Sequence, residues 1–137
     1  MNRIFQYRSH IQEIPRIRKD LEFLEQEWAI PKSEIRQILV IIEELFSNII
    51  RYAFDDNREH IIDIRLVNSE NQIEIEMIDD GIPFNPLEYQ MEPLADPATS
   101  DAGGMGLTLI RAFSSNISYH RSSGKNHLKV TKKVKHR

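Results

Sequence analysis

Cysteine is absent from the 137 residues, which excludes disulfides, thiolate metal sites and a cysteine nucleophile, and fits a reducing compartment. No apolar run approaches the roughly 18 residues of a membrane-spanning helix. The first residues are interrupted by Arg3, Arg8 and His10, so no signal peptide is legible and the expectation is a cytoplasmic protein without a membrane partner. A basic excess is missing too: 18 Lys and Arg against 21 Asp and Glu leave a net charge of -3, unlike a nucleic-acid binder. The five histidines, His10, His60, His120, His127 and His136, are scattered without metal-ligand spacing. Glycine is scarce, five in all, yet three fall within one short run, Gly103, Gly104 and Gly106. What remains, 40% hydrophobic and 28% charged, is ordinary globular composition. A chain of this size buries roughly two-thirds of its unfolded surface, so residues 1–137 are read as a single domain.

Periodicity supplies the elements. Residues 3–8 read as a short edge strand, with Phe5 and Tyr7 on one side. Ile14, Ile17, Leu21, Leu24 and Trp28 recur at steps of three and four, the stripe of an amphipathic helix. Ser33 is the expected N-cap of a second helix running to about Ala53 and rich in Ile35, Ile38, Leu39, Ile42, Leu45, Phe46 and Ile49. Ile62, Ile64 and Leu66 alternate with polar residues, a polar turn follows, and Ile73, Ile75 and Met77 alternate again, which predicts a hairpin with one buried face. Between Pro83 and Ala102 four prolines and weak periodicity predict a long loop with one helical turn near Leu87 to Gln90. A helix over about 105–113 and two strands, about 116–121 and 126–134, complete the chain. The basic tail from Lys132 to Arg137 is expected to be a solvated end, as is the helix face bearing Arg16, Arg18 and Lys19.

The chemistry gathers at three places on this framework. Strand residues alternate faces, so Asp79 shares its side with Ile73, Ile75 and Met77 and points toward the core, whereas Asp80 points to solvent. A carboxylate at the rim of an apolar face needs a partner, and the exocyclic amine of adenine suits it; a plain Asp-Asp-Gly turn is the competing reading. Glu44, Asn48 and Arg51 line one flank of the second helix, with Asn48 nearly inside the buried stripe. Its amide oxygen suits a hard cation such as magnesium, and Glu44 one turn earlier could deprotonate an attacking hydroxyl or water; an ordinary helix flank is the alternative. The run Gly103-Gly104-Met105-Gly106-Leu107-Thr108 opens a helix, where backbone N–H groups can approach phosphates. Together these motifs predict an ATP site.

The ordered conjunction of Glu44-x-x-x-Asn48, Asp79-x-Gly81 and Gly103-Gly104-x-Gly106 resembles the GHKL ATPases, whose nucleotide pocket is the Bergerat fold. No Walker Gly-x-x-x-x-Gly-Lys-Ser/Thr loop is present. Within that superfamily the chain is most similar to the bacterial anti-sigma factor serine kinases of the RsbW type, on residues 43–53, 79–86 and 103–111. The resemblance implies an α/β (α+β) two-layer sandwich, a mixed, mostly antiparallel sheet with helices on one face, and a lid over about 87–103.

By that resemblance Glu44 is the general base, Asn48 the magnesium ligand, Asp79 the adenine-recognising acid and Gly81 the turn that lets the base approach. Gly103, Gly104, Met105, Gly106 and Leu107 hold the phosphates, with Thr108 as a further contact. ATP and Mg2+ are the implied cofactors. The implied partners are a STAS-domain antagonist, phosphorylated on serine, a sigma factor held captive, and a second copy in a homodimer. Two departures stand out. The stretch from Met91 to Ala102 has no Lys or Arg, although relatives often place a basic residue near the γ-phosphate, which leaves a nucleotide-binding regulatory module without phosphotransfer as the alternative. Asn126 and His127 stand where some relatives use threonine near adenine.

Overall fold

The computed structural model describes residues 1–89 and 102–137, with 89 and 102–107 as backbone only. Strand β1 (Asn2–Arg8) leads through one 3-10 turn into helix α1 (Ile14–Glu27) and helix α2 (Lys32–Tyr52). The hairpin β2 (Ile61–Asn68) and β3 (Gln72–Asp79) follows, then the four-residue helix α3 (Pro86–Tyr89) and helix α4 (Ala102–Phe113). Strands β4 (Asn116–Ser122) and β5 (Lys125–Lys133) end the described elements. The sheet order is β1-β2-β3-β5-β4, and every ladder among the described residues is antiparallel. The mixed, mostly antiparallel sheet expected from sequence is antiparallel in every pairing among the described residues. Its cause is the return of the chain as a hairpin, which inserts β5 between β3 and β4.

The predicted strand faces are those observed. Ile62, Ile64 and Leu66 of β2 and Ile73, Ile75 and Met77 of β3 are buried, joined by Tyr7, Leu128 and Val130. Against them lies α2, whose Ile38, Ile41, Ile42, Leu45, Phe46 and Ile49 are all buried in the same core as Ile17, Leu21, Leu24 and Trp28. Opposite-face residues form ion pairs instead, Lys129 meeting Glu74 at 3.0 Å. The β4–β5 turn places Ser123 and Gly124 at φ of 53° and 75°, the left-handed pair that a two-residue hairpin of native twist requires.

The cap of α2 and the basic tail differ from expectation. The N-cap of α2 is Pro31, not Ser33, and no side chain caps the helix; the extended Pro31 presents its carbonyl to the N–H groups of Glu34 and Ile35, both at 3.0 Å. The basic tail is docked rather than solvated. Alternation along β5 turns Lys132 toward the helices, where it is 4% exposed and meets Glu34 at 2.6 Å, while the Arg137 N–H donates to the Ala29 carbonyl at 2.9 Å. The α1 face bearing Arg16, Arg18 and Lys19 is exposed, as expected; on it Arg16 donates to Glu13 and lies over the Tyr7 ring, and Arg18 pairs with Glu43 of α2.

Truncating Ile42, fully buried on α2, removes packing that the sheet cannot replace. Ile42→Ala should cost about 2–5 kcal/mol and Ile4→Ala, at a residue 60% exposed, within about 0.5 kcal/mol; urea unfolding of both variants measures the contrast.

Candidate functional site

The last register pair of the β3–β5 ladder sets Asp79 opposite Asn126. Both side chains turn inward at the end of an otherwise apolar face, and they are 3% and 2% exposed. The Asn126 amide nitrogen donates to Asp79 Oδ1 at 2.9 Å and to the Ile82 carbonyl at 2.8 Å. Its oxygen accepts from the Phe84 N–H, the Tyr119 hydroxyl and Arg121 Nη1. One buried amide thus uses both of its donors and its acceptor to hold the turn that follows β3.

The second bond to Asp79 Oδ1 comes from the Gly81 N–H at 2.9 Å. Among the described residues both donors reach the same oxygen, Oδ1. Burial pushes the Asp79 carboxyl above its ordinary value, the bonds from Asn126 and Gly81 draw it back, and the neighbouring Asp80 raises it further. The strand reading of the pair holds, since Asp80 is exposed while Asp79 is not.

Gly81 is fixed by contact with α2 rather than by an unusual backbone angle. A Cβ there would lie 2.2 Å from the Ala53 carbonyl oxygen, and the same oxygen accepts from the Ile82 N–H at 2.8 Å. The end of α2 and the turn after β3 are therefore pressed together without a side chain between them. Tyr52 adds a ring contact with Phe84 at 5.6 Å.

Asn48 lies on α2 one turn before Tyr52 and is 3% exposed, which matches its expected place inside the buried stripe. Glu44, one turn earlier again, is half-buried. The glycine run opens a helix, as read, but the helix starts earlier than about 105: α4 begins at Ala102, so Gly103 and Gly104 join Met105, Gly106 and Leu107 in its first turns. The N–H groups of a helix's first turn have no intrahelical acceptor, and among the described residues here they belong to residues 102–104. Thr108 follows, exposed. The expected lid falls mostly on residues 90–101, outside the described residues.

The structure thus joins Asp79 and Gly81 to each other and to the end of the helix that carries Glu44 and Asn48. It adds Asn126, Tyr119 and Arg121, whose Nη1 also donates to the Gly81 carbonyl at 3.0 Å. Sequence pattern marked Asn126 as a departure without giving its bonds; the signal that could have found them is its register opposite Asp79 on paired strands. Among the described residues no group of three or more His, Asp or Glu side chains could hold a metal ion, and no helix is long and apolar enough to cross a membrane.

The family model described as "Histidine kinase-like ATPase domain" matches residues 8–132. The chain is 33% identical over 91 residues to the serine/threonine-protein kinase BtrW of Bordetella bronchiseptica, across 65% of this chain and 63% of that protein. It is 32% identical over 103 residues to the anti-sigma F factor of Caldanaerobacter subterraneus subsp. tengcongensis, across 74% and 71%. Among solved structures, the RsbU and RsbW domains of a Mycobacterium tuberculosis protein share the fold at a TM-score of 0.65 and 16% identity, across 98% of this chain and 32% of that one. A blue-light activated histidine kinase from Erythrobacter litoralis does so at a TM-score of 0.55 and 17% identity, across 75% and 31%. With its family match spanning nearly all described elements, the chain belongs to the histidine kinase-like ATPase domain family.

Proposed function

We propose that this chain is an ATP-dependent serine protein kinase and anti-sigma factor, which phosphorylates a serine of a STAS-domain antagonist and sequesters a sigma factor. The observation that carries the nucleotide part is the buried Asp79 carboxylate, held through one oxygen by Asn126 and Gly81 at the foot of α2. The partner-switching part rests on relatives that are themselves a serine/threonine kinase and anti-sigma factors.

The residues present suit Mg·ATP. Asp79 Oδ2 is the acceptor for the exocyclic amine of adenine, and the absence of a Cβ at Gly81 keeps the turn flush with α2. The buried Asn48 amide needs a partner, and its oxygen serves magnesium, which commonly takes only one or two protein oxygens beside phosphates and waters. The free N–H groups at the start of α4, among them Gly103 and Gly104, serve the phosphates, with Met105, Gly106, Leu107 and Thr108 extending that wall. Glu44 is the general base that accepts the proton of the attacking serine hydroxyl. We further infer a single domain acting in the cytoplasm as a homodimer.

A second reading is a nucleotide-gated binding module without phosphotransfer. The sequence from Met91 to Ala102, which contains Asp96 and Asp101 but no Lys or Arg, favours it, because positive charge at the γ-phosphate supplies much of the catalysis in phosphoryl transfer.

Glu44→Gln separates the two. A kinase carrying that change should keep its Mg·ATP affinity within a few-fold and lose phosphotransfer to a STAS-domain substrate by about 10²–10⁴-fold; a wild type that transfers nothing to the antagonist leaves only the binding module. Asp79→Asn puts a donor against the adenine amine, and calorimetric titration with Mg·ATP should record a loss of binding of at least about tenfold. Asn126→Ala frees Asp79 and the turn together, and about a tenfold weakening of the same binding is expected; unchanged affinity would remove Asn126 from the site.

A further inference from the structure

His60 immediately precedes β2 and takes no part in the assignments above. Its backbone is pinned to the end of β1, since the His60 N–H donates to Ser9 Oγ and the Ser9 N–H to the His60 carbonyl, both at 2.9 Å. The ring is stacked on Phe54, centroids 4.2 Å apart and planes within 9°, and its side chain is 15% exposed. Nε2 lies 2.7 Å from Asp56 Oδ1, and Nδ1 lies 2.9 Å from Asp80 Oδ1.

Both ring nitrogens therefore face carboxylates. A neutral imidazole has one donor and one acceptor and can satisfy only one of these contacts; an imidazolium donates to both. Asp56 belongs to the segment that leaves α2, and Asp80 stands between Asp79 and Gly81. The ring ties the exit of the helix to the turn whose position the Ala53 carbonyl also fixes.

Resting on the nucleotide reading above, we propose that His60 is a positioning residue: as an imidazolium it clamps Asp80 to Asp56, holds the Asp79–Gly81 turn in its binding geometry, and makes nucleotide affinity depend on the His60 proton.

The electrostatic surroundings agree with the geometry. Two cavities of about 240 and 350 Å3 adjoin the ring. Asp55, Asp56 and Glu59 enter them from its own loop, Asp79 and Asp80 from the end of β3, and Asp63 from β2; the cations are Arg121 of β4 and Lys125 of the β4–β5 hairpin. The bond to Asp56 raises the His60 pKa above its ordinary 6.5, burial opposes this, and the bond to Asp80 raises it further. The same contact with His60 lowers Asp56. With a raised folded-state pKa, the clamp contributes fully below 6.5 and is lost as pH rises through the raised value.

Calorimetric titration of Mg·ATP from about pH 6 to 9 into the wild type, His60→Gln and Asp80→Asn tests the coupling. Titration of the phosphates themselves cancels in the ratio of wild type to variant. The wild type should bind about three- to tenfold more tightly than either variant at the acid end and within about twofold at the alkaline end. A ratio that stays constant across the range overturns the coupling.

Nitrogen-15 NMR of the His60 ring without nucleotide reads the clamp separately. Two protonated ring nitrogens near neutral pH, with a titration midpoint above 6.5, support it; a neutral tautomer there overturns it. Should the wild type bind no Mg·ATP at any pH, the nucleotide reading and the coupling fall together, while the NMR result still decides the clamp.

Discussion

The site depends on a carboxylate placed at the buried end of an apolar strand face. Asp79 ends a strand whose preceding inward residues, Ile73, Ile75 and Met77, are all fully buried, and ionising it there is costly unless donors are supplied. Asn126 and Gly81 supply two of them to one oxygen. A carboxylate held in that way keeps a second, directed acceptor at the mouth of the core, a feature that an exposed aspartate in a mobile turn could not provide. The rest of the site is built around keeping that turn still.

Helix α2 performs two tasks with one periodicity. Its apolar stripe fastens it to the sheet through Ile38, Ile42, Leu45, Phe46 and Ile49, and the same rotation brings Asn48 inside while leaving Glu44 at the edge. Its C-terminal end then abuts the turn after β3 so closely that only glycine fits at position 81. Packing and recognition are thereby coupled: a displacement of α2 large enough to relieve the contact at Ala53 would also move Asn48 relative to Asp79. The His60 clamp lies across the same junction, joining the loop after α2 to Asp80.

Much of this was legible from the sequence. The hairpin β2–β3, the stripes of α1 and α2, the inward turn of Asp79 and the burial of Asn48 follow from periods of 2 and 3.6 applied chiefly to Ile and Leu positions. Less legible were features that depend on what sits opposite. Ser33 looks like a helix cap in isolation, yet the chain direction leaving α1 hands that role to Pro31. The tail from Lys132 looks solvated by composition, yet strand alternation carries Lys132 inward to Glu34 of α2, a partner 98 residues away that no local pattern can announce.

By itself the sequence determined which face of its own element each candidate residue occupies, because this is a local consequence of covalent geometry and hydrophobic period. Tertiary structure alone decided the partnerships: Asn126 against Asp79, Arg121 against the Gly81 carbonyl, the Ala53 carbonyl against a missing Cβ, and His60 between two carboxylates. The physical reason is the inserted hairpin, which sets β5 beside β3. Strand order is set by pairing along the whole sheet, and only that order places residues distant in the chain within hydrogen-bonding reach.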